Sequence, residues 1–321
     1  MEKIFEIKNL CIHFPIGSGF FNNQKGKIHA VNGINLDIYK NEIISLVGES
    51  GCGKSTLART ILALEEKTDR DIFFYGKNIE DFNKTEKKDF RKKCQLVFQN
   101  PFSSLNPRMN IFDILKEPLI VNGVKNQEEI NEKIFNVIKL VGLDETVLSR
   151  FPHEFSGGQR QRIAIARALI LEPEVIVADE PVSALDVSIQ AQIINLLLEL
   201  KKKLNLTIIF ISHDLSVVKH ISDRVAVMYL GEIVEIATKN ELFKNPTHPY
   251  TDALLAAIPQ IKSEPNEQIT LLKGEIPSVK DLPKGCFFNS RCPKVKEYCK
   301  LNHPNYVNIS LSHKTACHYA K

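Results

Sequence analysis

The sequence has no stretch approaching the ~18 consecutive apolar residues that a membrane-spanning helix requires; its densest runs, such as residues 207–211, are short and strand-like. No secretory leader is expected either. The opening residues from Met1 to Lys8 interleave charges with apolar side chains and read as a strand. These absences lead to the expectation of a chain made and retained in the cytoplasm that does not itself cross a bilayer. A strong charge bias is also lacking, because 42 basic side chains nearly offset 38 acidic ones and leave a net charge of +4. So small an excess gives no strong pull toward nucleic acid or an anionic bilayer. Internal repeats and low-complexity tracts are absent, which removes repeat architectures from consideration.

What is present is a globular composition: 43% hydrophobic residues in a chain of 321, enough for a substantial core and roughly two domains. The seven cysteines are unevenly placed. Cys11, Cys52 and Cys94 are scattered, whereas Cys286, Cys292, Cys299 and Cys317 fall within the last 36 residues. In a reducing compartment such a terminal cluster points to a metal or iron–sulfur site ahead of a disulfide set.

Residues 4–14 and 34–47 carry strand patterns, and the run from Ile43 to Val47 feeds directly into a glycine-rich turn at Gly48. A helix is expected from Lys54 to about Leu64. Residues 95–98, 175–178 and 207–211 are apolar on both faces, which predicts buried parallel strands of one central sheet. Between residues 112 and 150 the period becomes helical, most clearly at 126–140, and marks an inserted helical subdomain at about residues 105–170. Short strands around Gly231 and a helix near residues 250–257 follow. A proline-rich, polar segment at 259–283 reads as a linker or draped extension, so the chain divides into residues 1–258 and 259–321.

Gly48, Glu49, Ser50, Gly51, Cys52, Gly53, Lys54, Ser55 and Thr56 fit the phosphate-loop pattern in its strand–loop–helix setting. The glycines let consecutive backbone N–H groups turn toward one anion, and the helix beginning near Lys54 aims its positive end at the same point. Lys54 is placed to neutralise the β- and γ-phosphates of ATP, and Ser55 to ligate Mg2+. Residues 175–180 form an apolar strand ending in two carboxylates, at the sheet edge where open α/β folds bind ligands. Asp179 is the candidate Mg2+ ligand and Glu180 the candidate to polarise the attacking water. Ser156, Gly157, Gly158 and Gln159 open a further helix; Ser156 is a natural cap, but capping alone does not call for two glycines, and the segment reads as a second anion site.

Taken in order, the loop at 48–56, Gln99, residues 156–159, Asp179 and Glu180, the run Ser183 to Asp186, and His213 resemble the motif series of ABC ATPases over about residues 3–260. The resemblance implies an α/β fold: a P-loop NTPase core with an inserted helical subdomain, an antiparallel β subdomain and a C-terminal Cys-rich extension. It also implies ATP hydrolysis with Lys54, Glu180 and His213 as catalytic residues and Gln99 reaching Mg2+ or the water. Ser156, Gly157, Gly158, Gln159 and Asp186 would act in trans, on the ATP held by another subunit. An aromatic residue from the early strands would stack on adenine, with Phe14 and Phe21 both candidates. A catalytically silent subunit is disfavoured by intact Lys54, Glu180 and His213.

Residues 247–251 and 274–277, the run Gly285 to Phe288, and Arg291, Cys292 and Pro293 resemble the extension of oligopeptide/dipeptide permease ATPases. The insertion before His29 is similar to the OppF/DppF type. An importer for peptides is implied, with nickel-uptake relatives as the alternative because they share much of the pattern. A soluble nucleic-acid- or ribosome-associated ABC ATPase is the reading from another class; the single cassette and cysteine-rich tail speak against it. The implied partners are a second homologous ATPase subunit, in a homo- or heterodimer, two transmembrane permease subunits and an extracytoplasmic substrate-binding protein, with no nucleic acid. The chain would then sit at the cytoplasmic face of the cell membrane. The cysteines of the tail are separated by five, six and seventeen residues, wider than the pairs of zinc ribbons. Four thiolates suit a [4Fe–4S] cluster, which members of the resembling family can carry here; zinc and no metal are the alternatives. His303, His313 and His318 are expected as surface residues.

Overall fold

A computed structural model describes residues 2–16, 26–258 and 274–320. Its strands are β1 (Lys3–Ile16), β2 (Gly26–Tyr39), β3 (Ile43–Val47), β4 (Asp69–Phe74), β5 (Lys77–Asn78), β6 (Cys94–Val97), β7 (Val175–Asp179), β8 (Thr207–Ile211), β9 (Arg224–Tyr229), β10 (Glu232–Thr238), β11 (Val307–Asn308) and β12 (Lys314–Thr315). The helices are α1 (Lys54–Ile61), α2 (Lys84–Lys93), α3 (Pro101–Ser104), α4 (Ile111–Val121), α5 (Gln127–Leu140), α6 (Gly157–Leu169), α7 (Val187–Leu204), α8 (Leu215–Ile221), α9 (Lys239–Lys244), α10 (Pro249–Ala256) and α11 (Glu297–Leu301). The chain forms two compact units. One comprises Met1–Ile38, Ile44–Ile79 and Ser212–Lys321, the other Tyr39–Ile43 and Glu80–Ile211.

In the first unit, a sheet ordered β2-β1-β4-β5 supplies the antiparallel β layer, with Phe5 opposite Phe74 and Ile7 opposite Ile72. These four side chains are buried, so alternation along β1 sends one face of the strand to the core. The strands β11-β12-β10-β9-β3 lie in that order; β9 is parallel to β3 and antiparallel to β10. The run 34–47, read from sequence as one strand pattern, is broken into β2 and β3 by a turn at residues 40–42. Asn41 takes a left-handed φ of 62° there, and the Glu42 carboxylate accepts the Tyr39 N–H at 2.7 Å. Asparagine tolerates that conformation, which explains a reversal with no glycine or proline. Helix α1 stops at Ile61, short of the expected Leu64, and Ala63 has already turned to φ 53°.

In the second unit, β6, β7 and β8 are parallel neighbours, with Cys94 opposite Val175 and Val175 opposite Thr207. Every residue of β7 and β8 is buried, which is why their sequence is continuous and apolar instead of alternating. The inserted helices α4, α5 and α6 pack together, α4 capped by Asn110 and α5 by Asn126. Within this cluster Arg160 of α6 is buried and donates to Pro152 O and His153 O, at 2.7 and 3.2 Å, and Arg162 donates to Val141 O at 2.7 Å. Among the described residues no helix is long and apolar enough to cross a membrane.

Candidate functional site

Strand β3 is wholly buried and ends at Gly48, whose φ of 149° lies outside the range that side-chain-bearing residues favour. A Cβ on Gly48 would stand 2.2 Å from Met228 O, and one on Gly53, where φ is 102°, would stand 2.2 Å from Ala30 O. Only glycine fits either position. The loop is stitched down by the Gly231 N–H donating to Cys52 O at 3.0 Å and the Asn32 N–H donating to Gly231 O at 2.8 Å. Lys54 is buried and its Nζ donates to Gly48 O at 2.7 Å and Glu49 O at 3.0 Å, so the cation is held by two loop carbonyls. Ser55 and Thr56 lie in the first turn of α1, which carries no acidic residue to offset the helix dipole. Burial pushes the Cys52 thiol up, leaving it a small apolar side chain at the base of the loop. A glycine cradle, a buried cation and a helix start form a donor set that fits a polyphosphate with Mg2+.

Glu49 is held from three directions in this unit. Its N–H donates to Tyr250 Oη at 2.9 Å, its carbonyl accepts from Lys54, and its carboxylate takes both Nη groups of Arg291 at 2.6 and 2.9 Å. Neither Tyr250 nor Arg291 stands among the nucleotide-site residues expected from sequence. His213 is exposed in the loop before α8, where the Asp214 N–H donates to Ser212 Oγ at 3.0 Å and Asp214 caps the helix. Phe14 is partly buried on β1, while Phe21 lies outside the described residues.

In the second unit, Asp179 ends β7 and is buried. Glu180 adopts a left-handed φ of 45°, a backbone cost on the order of 1–3 kcal/mol for a residue with a Cβ. That conformation is pinned by the Glu180 N–H donating to Ile211 O at 3.1 Å and by Ser183 Oγ donating to Glu180 O at 3.1 Å. Gln99 Nε2 donates to Glu180 Oε2 at 2.9 Å, so residues 81 positions apart meet at one carboxylate. Ser156 caps α6 in a reciprocal box: the Gln159 N–H donates to Ser156 Oγ at 3.4 Å and the Ser156 N–H to Gln159 Oε1 at 3.1 Å. Sequence reasoning left the two glycines unexplained by capping. Neighbouring side chains crowd both positions, since a Cβ on Gly157 would lie 3.0 Å from Leu185 Cδ2 and one on Gly158 2.5 Å from Ile189 Cγ2. Asp186 is the exposed N-cap residue of α7, and its side chain makes no capping bond.

The four C-terminal cysteines come together. Cys286, Cys292, Cys299 and Cys317 line one cavity with His248 and Phe288. Burial raises the Cys286 thiol to about 12 and lifts Cys292 and Cys317 as well. Among the described residues, however, no group of three or more His, Cys, Asp or Glu stands in a metal-holding arrangement. The part of the [4Fe–4S] expectation that the structure bears out is the coarser one, a shared cavity lined by four thiols. His313 is corrected: it is buried, with Nε2 2.6 Å from Glu235 Oε1 and 3.3 Å from Thr247 Oγ1. His303 is half-exposed beside Glu232 at 3.2 Å, and His318 Nε2 lies 2.9 Å from Asn302 O.

Residues 31–183 match the family described as "ABC transporter", and residues 234–299 match "Oligopeptide/dipeptide transporter, C-terminal region". The oligopeptide transport ATP-binding protein AppF of Bacillus subtilis is 51% identical over 99% of this chain and 97% of its own length. For OppF of Escherichia coli the identity is 48%, over 98% of this chain and 96% of that protein. Among solved structures, CbiO1 from Clostridium perfringens, part of the ABC transporter complex CbiONQ, aligns with a TM-score of 0.66 at 30% identity, covering 76% of this chain and 92% of that one. The ATP-binding cassette MJ0796, in a dimeric post-hydrolysis state bound to ADP and Pi, aligns with a TM-score of 0.64 at 29% identity, covering 73% of this chain and 98% of that one.

Proposed function

The chain belongs to the oligopeptide/dipeptide class of ABC transporter ATP-binding proteins, and from that premise we propose that it hydrolyses ATP to energise the import of peptides. The observation that carries the peptide reading is the match of residues 234–299 to the peptide-transporter C-terminal region, on a chain whose loop 48–56 is built for a polyphosphate.

Each site residue has a part in this reading. Lys54 and the backbone of residues 48–56 bind the β- and γ-phosphates. Ser55, Gln99 and Asp179 would hold Mg2+, which would offset charge on the phosphates when bound. Glu180 polarises the attacking water, with Gln99 orienting its carboxylate, and His213 faces the γ-phosphate. Ser156, Gly157, Gly158, Gln159 and Asp186 complete the nucleotide site of a second, homologous ATPase subunit; the dimeric cassette of MJ0796 supports such a pairing. The pair works beneath two transmembrane permease subunits at the cytoplasmic face of the membrane, supplied by an extracytoplasmic substrate-binding protein. The four-cysteine cavity is assigned a [4Fe–4S] cluster on the chemistry of four thiolates. Anaerobic purification followed by iron, sulfide and zinc analysis tests that assignment: about four irons and four sulfides per chain is expected for such a cluster, and zinc without iron overturns it.

The substrate class is tested by reconstituting the complete transporter and measuring ATP hydrolysis with the binding protein loaded in turn with a peptide library and with Ni2+. Stimulation by peptide and not by Ni2+ is expected. Stimulation by Ni2+ alone moves the chain to the nickel-uptake alternative.

A further inference from the structure

Arg291 belongs by its backbone to the cysteine module and by its head group to the phosphate loop. Its N–H donates to Phe288 O at 3.1 Å, and Cys292 follows it in the chain. The guanidinium reaches Glu49 through two N–H···O bonds of 2.6 and 2.9 Å, with only 5% of the Arg291 side chain exposed. A planar fork on a carboxylate fixes orientation as well as distance, which a lysine point contact does not. Glu49 in turn passes its carbonyl to Lys54 Nζ at 3.0 Å. One line of contacts thus runs from Arg291 through Glu49 to the amine that meets the phosphates.

A second line starts from the same module. His248 and Pro249 line the cavity shared by the four cysteines, and Tyr250 follows them on α10. The Tyr250 hydroxyl accepts the Glu49 N–H at 2.9 Å. Tyr229, Tyr250 and Phe288 pack with ring centroids 4.7, 5.2 and 5.4 Å apart, and Arg291 lies 5.9 Å from the Tyr229 ring. Electrostatics adds a further reason for the arginine. Without Arg291, the Glu49 anion would stand uncompensated in a loop that receives a polyanion.

We propose that Arg291 is a positioning residue for nucleotide binding, which neutralises and orients Glu49 and so makes the ATP affinity of this chain depend on the four-cysteine module. The proposal rests on the ATP-site reading of residues 48–56. Its test is titration of the full-length chain with a fluorescent ATP analogue in Mg2+. Arg291→Ala is expected to weaken binding by about 30-fold, the lower end of the loss on truncating one partner of a buried charge-assisted pair, and Arg291→Lys by less. Adding Glu49→Gln to Arg291→Ala removes the uncompensated charge and is expected to recover much of the affinity. Rescue of this kind separates an electrostatic role from mere unfolding of the extension. Cys292→Ser is expected to weaken binding in the same direction. Wild-type affinity in Arg291→Ala or Cys292→Ser, or a double variant no better than Arg291→Ala, overturns the proposal. Lys54→Ala serves as the separate control: if that variant binds normally, the ATP-site reading itself has failed.

Discussion

Glu180 combines a strained backbone with a carboxylate held by Gln99, which suits the role proposed for it, presenting one oxygen to a water. Replacing it by glutamine keeps the shape and removes the basic oxygen. Glu180→Gln is expected to bind ATP with near-normal affinity and to lose steady-state hydrolysis by about 10²-fold or more; phosphate release at the wild-type rate would refute the role of Glu180. Gly53→Ala is expected to fail differently, because its Cβ would stand 2.2 Å from Ala30 O at a φ of 102°. Binding itself should be lost, with a lowered melting temperature, measurable by nucleotide titration and thermal unfolding. The strand–loop–helix at residues 43–61 was legible in the sequence because its glycines and the residues that follow them are consecutive. The Arg291–Glu49 bridge was not, since it joins residues 242 positions apart and an isolated Glu in a glycine loop gives no local sign of its partner. His313 was misread for the same reason: its buried partner Glu235 lies 78 positions away.

At the scale of elements, strands β7 and β8 were plain from sequence, because burial on both faces leaves an uninterrupted apolar run. The break between β2 and β3 was hidden, since Asn41 alone carries the turn signal and the flanking residues remain strand-like. The two glycines after Ser156 invited an anion-site reading, and the side chains of Leu185 and Ile189 crowd the same two positions. Helix α9 offers an element-level test. The Glu241 carboxylate accepts from Ser310 Oγ at 2.6 Å, from Thr238 Oγ1 at 2.6 Å and from Ser312 Oγ at 2.8 Å, tying the chain end to the helix cap. These bonds, the one from Ser310 foremost, lower its pKa from 4.5 to about 2. A depressed carboxyl pKa stabilises the fold above 4.5, and the benefit fades as pH falls toward 2. Glu241→Gln, which still accepts these bonds at N3 of the capping box but without the charge, is therefore expected to cost about 1 kcal/mol at neutral pH. The gap from wild type should narrow progressively below pH 4.5 in urea titrations. A gap independent of pH would exclude the ionised cap.

Across the whole molecule, residues 48–56 and His213 belong to one unit, and Gln99, residues 156–159, Asp179 and Glu180 to the other. Residues 274–320 belong with the unit that carries the phosphate loop, a membership invisible from the proline-rich composition that separates them in sequence. The proposed division of labour gives this chain the binding of ATP and assigns turnover to a pair of ATPase subunits. ATP-dependent association of Glu180→Gln with its partner subunit should therefore be seen by sedimentation, and Ser156→Arg in the same background should abolish it. The account as a whole stands on ATP hydrolysis at this chain driving peptide entry. Uptake of a labelled peptide into proteoliposomes carrying the complete transporter measures this directly, with ATP supplied on the side of the nucleotide-binding subunits and Lys54→Ala introduced in this chain alone. Uptake that requires ATP and is abolished by Lys54→Ala is the predicted result; undiminished uptake in Lys54→Ala would contradict the account.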